Sequence, residues 1–86
     1  MNVEEVFCSK IRVKVLKLLF MYGQMNTSDL ARKLRVNYKL TLEHLELLEN
    51  EDIIQHRISG RTKFFRFANT LKAKVTLRLL EEWEKK

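Results

Sequence analysis

The 86-residue chain contains no proline, only two glycines and a single cysteine, Cys8. One cysteine cannot build an intrachain disulfide framework, and such scarcity points to a reducing compartment. With no proline, and glycine only at positions 23 and 60, no stretch reads as a linker, a low-complexity segment or a repeat. No apolar run approaches the roughly 20 residues that a transmembrane helix needs. The opening MNVEEVFCSK lacks the basic-then-apolar pattern of a secretory signal. Cys8, His44 and His56 are the only soft ligands, and no two fall at a metal-binding spacing, so no metal and no cofactor is expected. A nucleophilic Cys8 would need a histidine and a cleft that the pattern does not offer, so no catalytic site is expected. Acidic residues are also in deficit: 11 Asp and Glu face 17 Lys and Arg, giving +6 and a pI near 9.7. A basic balance of this size is the electrostatic footprint of nucleic-acid binding, although it also serves plain solubility. The length allows one domain, spanning 1–86, and a chain so short buries only about 60% of its unfolded surface.

What is present is periodic. Residues 9–22 predict a helix with Ser9 as N-cap, Gly23 as stop, and Lys10, Lys14 and Lys17 on one solvated stripe. The rest of that helix is apolar over nearly two-thirds of its circumference, which suggests cover from its own domain and from a partner. Val3, Val6 and Phe7 would extend that surface. Residues 27–35 predict a short helix capped by Thr27. After the turn Arg35-Val36-Asn37, Asn37 caps a third helix from about Tyr38 to Asn50. Two short helices joined in this way form a helix-turn-helix over 27–50. The period then falls to 2: Ile53–Ile58 and Thr62–Ala68 predict strands around Ser59-Gly60-Arg61, with Ile54, Phe65 and Phe67 inward. A last helix spans 69–86, capped by Asn69 or Thr70. Its apolar residues make two faces: Leu71, Val75 and Leu79 can close the domain, and Ala73, Leu77, Leu80 and Trp83, ending in a large aromatic, are left for a second copy. A homodimer through the first and last helices is expected, with Phe7, Leu18, Leu77, Leu80 and Trp83 at its seam. Cys8 reads as a small buried residue near that seam, with a symmetric disulfide as the minority alternative.

The fold class is therefore mainly α with a β-hairpin wing (α+β), a winged helix-turn-helix. The chain resembles small archaeal winged-helix regulators of the ArsR-like class, with kinship to MarR-like repressors. The resemblance runs through Ser9-Lys-Ile-Arg-Val-Lys-Val-Leu-Lys-Leu-Leu, Thr27-Ser-Asp-Leu-Ala-Arg-Lys-Leu, His44-Leu-Glu-Leu-Leu-Glu, Ile53-Ile54, Gly60-Arg61 and the pair Phe65 and Phe67. It covers roughly residues 9–68. It implies a dimeric, sequence-specific, double-stranded-DNA-binding transcriptional regulator in the cytoplasm, associated with the nucleoid. Helix three would then lie in the major groove, and the hairpin would touch the backbone or minor groove.

The residues expected at DNA are Asn37, Tyr38, Lys39, Leu42 and Glu43 on helix three, with Thr41, Leu45 and Leu48 inward. Glu43, Glu46 and Glu49 make the later part of that helix acidic, which suits a protein-binding face as well as a base-reading one. Arg57, Arg61 and Lys63 in the wing suit phosphate or minor-groove contact, or a charged edge that blocks aggregation. Arg32, Lys33 and Arg35 on the second helix and turn would add phosphate contacts. His44 is expected to pack beside helix three, and His56 to lie at the surface. Two alternatives remain at this point. One is a winged-helix protein-interaction module in a larger complex, with a partner in the transcription machinery. The other is a sequence-indifferent chromatin-type binder.

Overall fold

The structure is a computed structural model and describes residues 9–84. Phe7 and Cys8, and with them Val3 and Val6, lie outside the described residues. Within them the chain forms four helices and three strands: α1 (Lys10–Tyr22), β1 (Gln24–Asn26), α2 (Thr27–Leu34), α3 (Tyr38–Asn50), β2 (Ile54–Ser59), β3 (Thr62–Phe67) and α4 (Leu71–Glu84).

Helix α1 begins where the Ser9 hydroxyl accepts from the Arg12 N–H at 3.3 Å. It ends where Gly23, at φ 83°, turns its N–H back to the Leu19 carbonyl at 2.8 Å. That left-handed turn favours glycine, since a Cβ there would be strained. Strand β1 follows at once. It is only three residues long with one apolar side chain, so no alternation announces it, and it exists because β3 is there to pair with it. Met25 opposes Phe65 in that register.

The arrival of β1 moves the cap of the next helix. The Asn26 side chain, rather than that of Thr27, accepts from the Asp29 N–H, at 2.7 Å. Thr27 becomes the first helical residue and is buried. Arg35 stands past the helix end in the left-handed conformation, at φ 58°, instead of extending it. Asn37 caps α3 as expected, accepting from the Leu40 N–H at 2.8 Å. Thr41, Leu45 and Leu48 point fully inward from α3.

Strands β2 and β3 pair from Ile54↔Phe67 to Ser59↔Thr62, which leaves Gly60-Arg61 as a two-residue loop. Gly60 takes φ 65°, the positive value that a hairpin this tight demands. The sheet order β1-β3-β2 makes β3 central. Phe65, in its middle, is 1% exposed and packs with Leu16, Leu19, Leu30, Leu45, Leu48 and Ile54 in the core. Ile53 precedes the strand proper, and its carbonyl accepts from the Ala68 N–H to close the base of the hairpin.

Helix α4 is capped by Thr70, whose hydroxyl accepts from the Ala73 N–H and donates to the Asp52 carbonyl. Ion pairs Lys72–Glu51 (3.2 Å) and Lys17–Glu84 (3.0 Å) hold it to the body. Ala73, Thr76 and Leu80 are its buried residues. Leu80, expected at the seam between copies, is therefore turned into the protomer's own core. The helical phase that buries Ala73 and Thr76 carries Leu80 with them. The two faces are thus exchanged: Leu71, Val75 and Leu79, expected to close the domain, stand outward with Trp83 in a row at four-residue steps, and Trp83 is 80% exposed. Leu18 is half-buried against the core, and Leu77 is half-buried on the flank of α4.

Candidate nucleic-acid interface

The outward face of α3 follows from its buried one. With Thr41, Leu45 and Leu48 inward, Lys39, Glu43, Glu46 and Asn50 fall on the opposite side, and all four are exposed. Tyr38 is exposed at the first turn, and Asn37 is exposed while its side-chain oxygen serves as cap. Leu42 departs from expectation. It is half-buried and packs against the core, because its side chain lies on the flank of the helix rather than on the outward line.

The acidic run on α3 divides in two. Glu43 and Glu46 face outward, whereas Glu49 turns toward the sheet. Its Oε2 accepts from the His56 backbone N–H at 3.1 Å and lies 2.5 Å from His56 Nδ1. His56 is accordingly half-buried and engaged rather than a free surface residue. His44, on the other flank, meets α1: its Nδ1 lies 3.2 Å from the Arg12 guanidinium, which donates, so the ring is neutral there. Burial holds the His44 pKa below the ordinary imidazole value, the Arg12 charge lowers it further, and Glu43 opposes both.

The wing's basic residues do not form one cluster. Successive strand residues alternate faces. Arg57, opposite Phe64, therefore lies on the outer face, while Lys63, opposite Ile58, lies on the face that carries Phe65 and Ile54. Arg61 sits in the loop itself and is exposed. Arg66, absent from the sequence-based set, joins Arg57 on the outer face and is exposed. Only the pairing register reveals it, since charge and spacing alone do not distinguish it from any other surface arginine.

Helix α2 adds to that outer face. A shallow groove between the end of α1, β1 and α2 is lined by Arg32, Lys33, Tyr22 and Phe64 among others. The Lys33 ammonium lies 5.2 Å from the centre of the Tyr22 ring, a cation–π distance. Arg32 pairs with Asp29 one helical turn earlier, and Arg35 is exposed at the turn. Through Phe64 the basic residues of α2 and Arg57 of the wing share one surface. Among the described residues no three His, Cys, Asp or Glu side chains are grouped to hold a metal, and no helix is long and apolar enough to cross a membrane.

A family model described as "Bacterial regulatory protein, arsR family" matches residues 9–56, from the cap of α1 to the middle of β2. No curated protein sequence matches the chain. Among solved structures, HlyU from Vibrio cholerae aligns with a TM-score of 0.79 at 18% identity, covering 93% of this chain and 85% of its own. The AntR antimony-specific transcriptional repressor aligns at 0.78 and 22% identity, covering 92% of this chain and 68% of its own. A homodimeric winged helix-turn-helix DNA-binding domain from Mycobacterium bovis aligns at 0.78 and 18% identity, covering 95% and 71%. At these identities the likeness is one of fold, and the fold is the winged helix-turn-helix.

Proposed function

Because the chain belongs to the arsR family of bacterial regulatory proteins, we propose that it is a transcriptional regulator that binds double-stranded DNA as a homodimer. The observation that carries this reading is the family match itself, which spans the whole helix-turn-helix; within it α3 keeps its outward face exposed. Two copies would place their α3 helices in successive major grooves, about one helical turn apart, on a roughly palindromic site. Asn37, Tyr38, Lys39 and Glu43 are the residues proposed to face base edges and the adjoining backbone. Glu43 suits an exocyclic amine of cytosine rather than a phosphate. Arg57 and Arg61 of the wing, with Arg32 and Arg35, are proposed for phosphate contact, and Lys63 reaches the duplex from the opposite side of the ribbon.

The dimer is proposed to form through the first and last helices. The exposed row Leu71, Val75, Leu79 and Trp83 supports this, being a continuous apolar stripe of a kind that soluble monomers rarely leave open. Leu18 and Leu77, both half-buried, and Phe7 belong to the same proposal. The site of action is the cytoplasmic nucleoid, and a protein partner in the transcription machinery remains part of the proposal. The family is one of regulators, and no catalytic step is assigned.

Fluorescence anisotropy of a random duplex, titrated with the full chain at several salt concentrations, tests the reading. Affinity should fall linearly with log salt, at a slope near −0.9 per neutralised phosphate, and a selected site should then compete far better than random DNA. No binding at low salt would sink the proposal and turn attention to a protein partner for Glu43 and Glu46. Equal competition by all duplexes would instead make the protein a sequence-indifferent binder.

A further inference from the structure

Resting on the DNA-binding reading, we propose that Glu49 is a positioning residue: it docks the wing onto α3, so that helix and wing meet DNA as one rigid unit. Glu49 lies on the flank of α3 that faces β2, and its carboxylate is turned to that strand rather than to the outward face. One oxygen, Oε2, engages both the backbone N–H of His56 at 3.1 Å and the His56 ring nitrogen Nδ1 at 2.5 Å. In the order β1-β3-β2, strand β2 is an edge, so half of its N–H groups have no strand partner. Glu49 supplies the missing acceptor for one of them, and a carboxylate is the strong choice for that role. The ring is held from its other side by Phe65, with centroids 5.5 Å apart, and Phe65 is itself at the centre of the core.

The position of this tie along the wing gives it its meaning. Beyond His56, residues Arg57, Ile58, Ser59, Gly60 and Arg61 are all exposed, and Ile58 has no core to enter. A two-stranded hairpin without a packed face is marginal on its own. The tip is therefore a lever, and on strand β2 its last side-chain tie to α3 is the Glu49–His56 pair. Arg57 and Arg61 lie on that lever, past the anchor. Fixing the lever to α3 sets where those two cations stand relative to the groove that α3 would enter, and reduces the entropy lost when both bind together.

A double-mutant cycle on the full chain, read by anisotropy with a duplex the protein binds, tests this. Arg61→Ala should weaken the wild-type protein about tenfold, as loss of a strong DNA contact does. In a Glu49→Leu background, which removes the acceptor, the same change should cost less than about threefold, because the wing is no longer held in place. Glu49→Gln, whose amide oxygen still accepts, and His56→Phe, which keeps the backbone N–H and a ring against Phe65, should each fall between Glu49→Leu and wild type. His56→Asn, which keeps a donor near the Nδ1 position, should stay close to wild type. The His56 amide resonance should shift upfield in Glu49→Leu, while the amides of the α1 core residues stay in place. A full tenfold loss for Arg61→Ala in the Glu49→Leu protein, or an unmoved His56 amide, would overturn the inference while leaving DNA binding intact. A wild-type protein that binds no duplex would overturn the functional reading, and this inference with it.

Discussion

The outward face of α3 and the outer face of the wing differ in the charge they present. On α3, a single Lys39 stands beside Glu43, Glu46 and Asn50. On the wing and the neighbouring α2 surface stand Arg57, Arg61, Arg66, Arg32 and Lys33, with only Asp29 against them. On the proposed reading, the difference separates two tasks. Phosphate contact gives affinity without sequence information, and base-edge contact gives information with little net charge. A helix with two free carboxylates is poorly suited to phosphates but suited to amino groups on base edges. The wing holds the cations that the helix lacks.

The most disruptive way to break this contrast is to remove what supports both regions at once. Phe65→Ala empties the point where β3 meets α1, α2 and α3, and should cost about 3–5 kcal/mol of stability, read by urea unfolding. For a domain this small that loss approaches the whole margin. A loss below about 1 kcal/mol would mean that the two regions do not share one core.

Next in size is the dimer, which would set two helix–wing pairs on one duplex. Leu79→Glu puts a charge in the middle of the exposed α4 row, and Trp83→Ala removes its largest side chain. Light scattering should show monomer for the first variant, and DNA affinity should fall by at least about tenfold as the second half-site is lost. A stable dimer in both variants would remove α4 from the interface.

A sharper cut separates the two regions themselves. Arg57→Ala with Arg61→Ala should weaken binding to random and selected duplexes alike, and make the salt slope shallower by about one for each phosphate contact removed. Glu43→Gln should do the reverse. Preference for the selected site should narrow, while affinity for random DNA holds or rises slightly as a repulsive charge is removed. Matching behaviour in the two variants would dissolve the distinction between the regions.

The smallest expected effect is a pH dependence at the junction of α1 and α3. Burial first, and Arg12 second, keep the His44 pKa below that of the unfolded chain, near 6.5. As pH falls through the unfolded value, the unfolded state takes up the proton first. Stability is then lost progressively, until pH passes the lower folded value. His44→Asn should flatten that part of the stability–pH profile in thermal melts between about pH 7 and pH 5. An unchanged profile would mean that His44 is neither desolvated nor faced by Arg12 in solution.

Much of this protein was legible in one dimension. Ser9 and Asn37 cap the helices they were expected to cap, Gly23 and Gly60 turn the chain where expected, and Thr41, Leu45 and Leu48 point inward. Each of these depends on neighbours within a few residues or on helical phase. The misreadings share a different character. Strand β1 and the cap at Asn26 depend on β3, some 40 residues away. Leu42 and Leu80 were given to outer faces because the stripes on α3 and α4 are wide, and width alone does not show which edge the core will take.

The candidate site was legible by residue type more than by arrangement. Charge and spacing marked Lys39, Arg57, Arg61 and Lys63, but not that Lys63 and Arg57 lie on opposite faces, nor that Arg66 joins Arg57. The acidic run of α3 read as a single feature, yet Glu49 belongs to the wing's attachment while Glu43 and Glu46 face solvent.

By itself, then, the sequence determined the elements, their order and the excess of positive charge, because helix phase, caps, turns and net charge are local or additive. Only the tertiary structure decided which cations share a face, which carboxylate ties the wing to the helix, and which row of α4 stays open. Those outcomes depend on strand register and on how each element packs against distant ones, and a one-residue change in either would have placed different side chains outward.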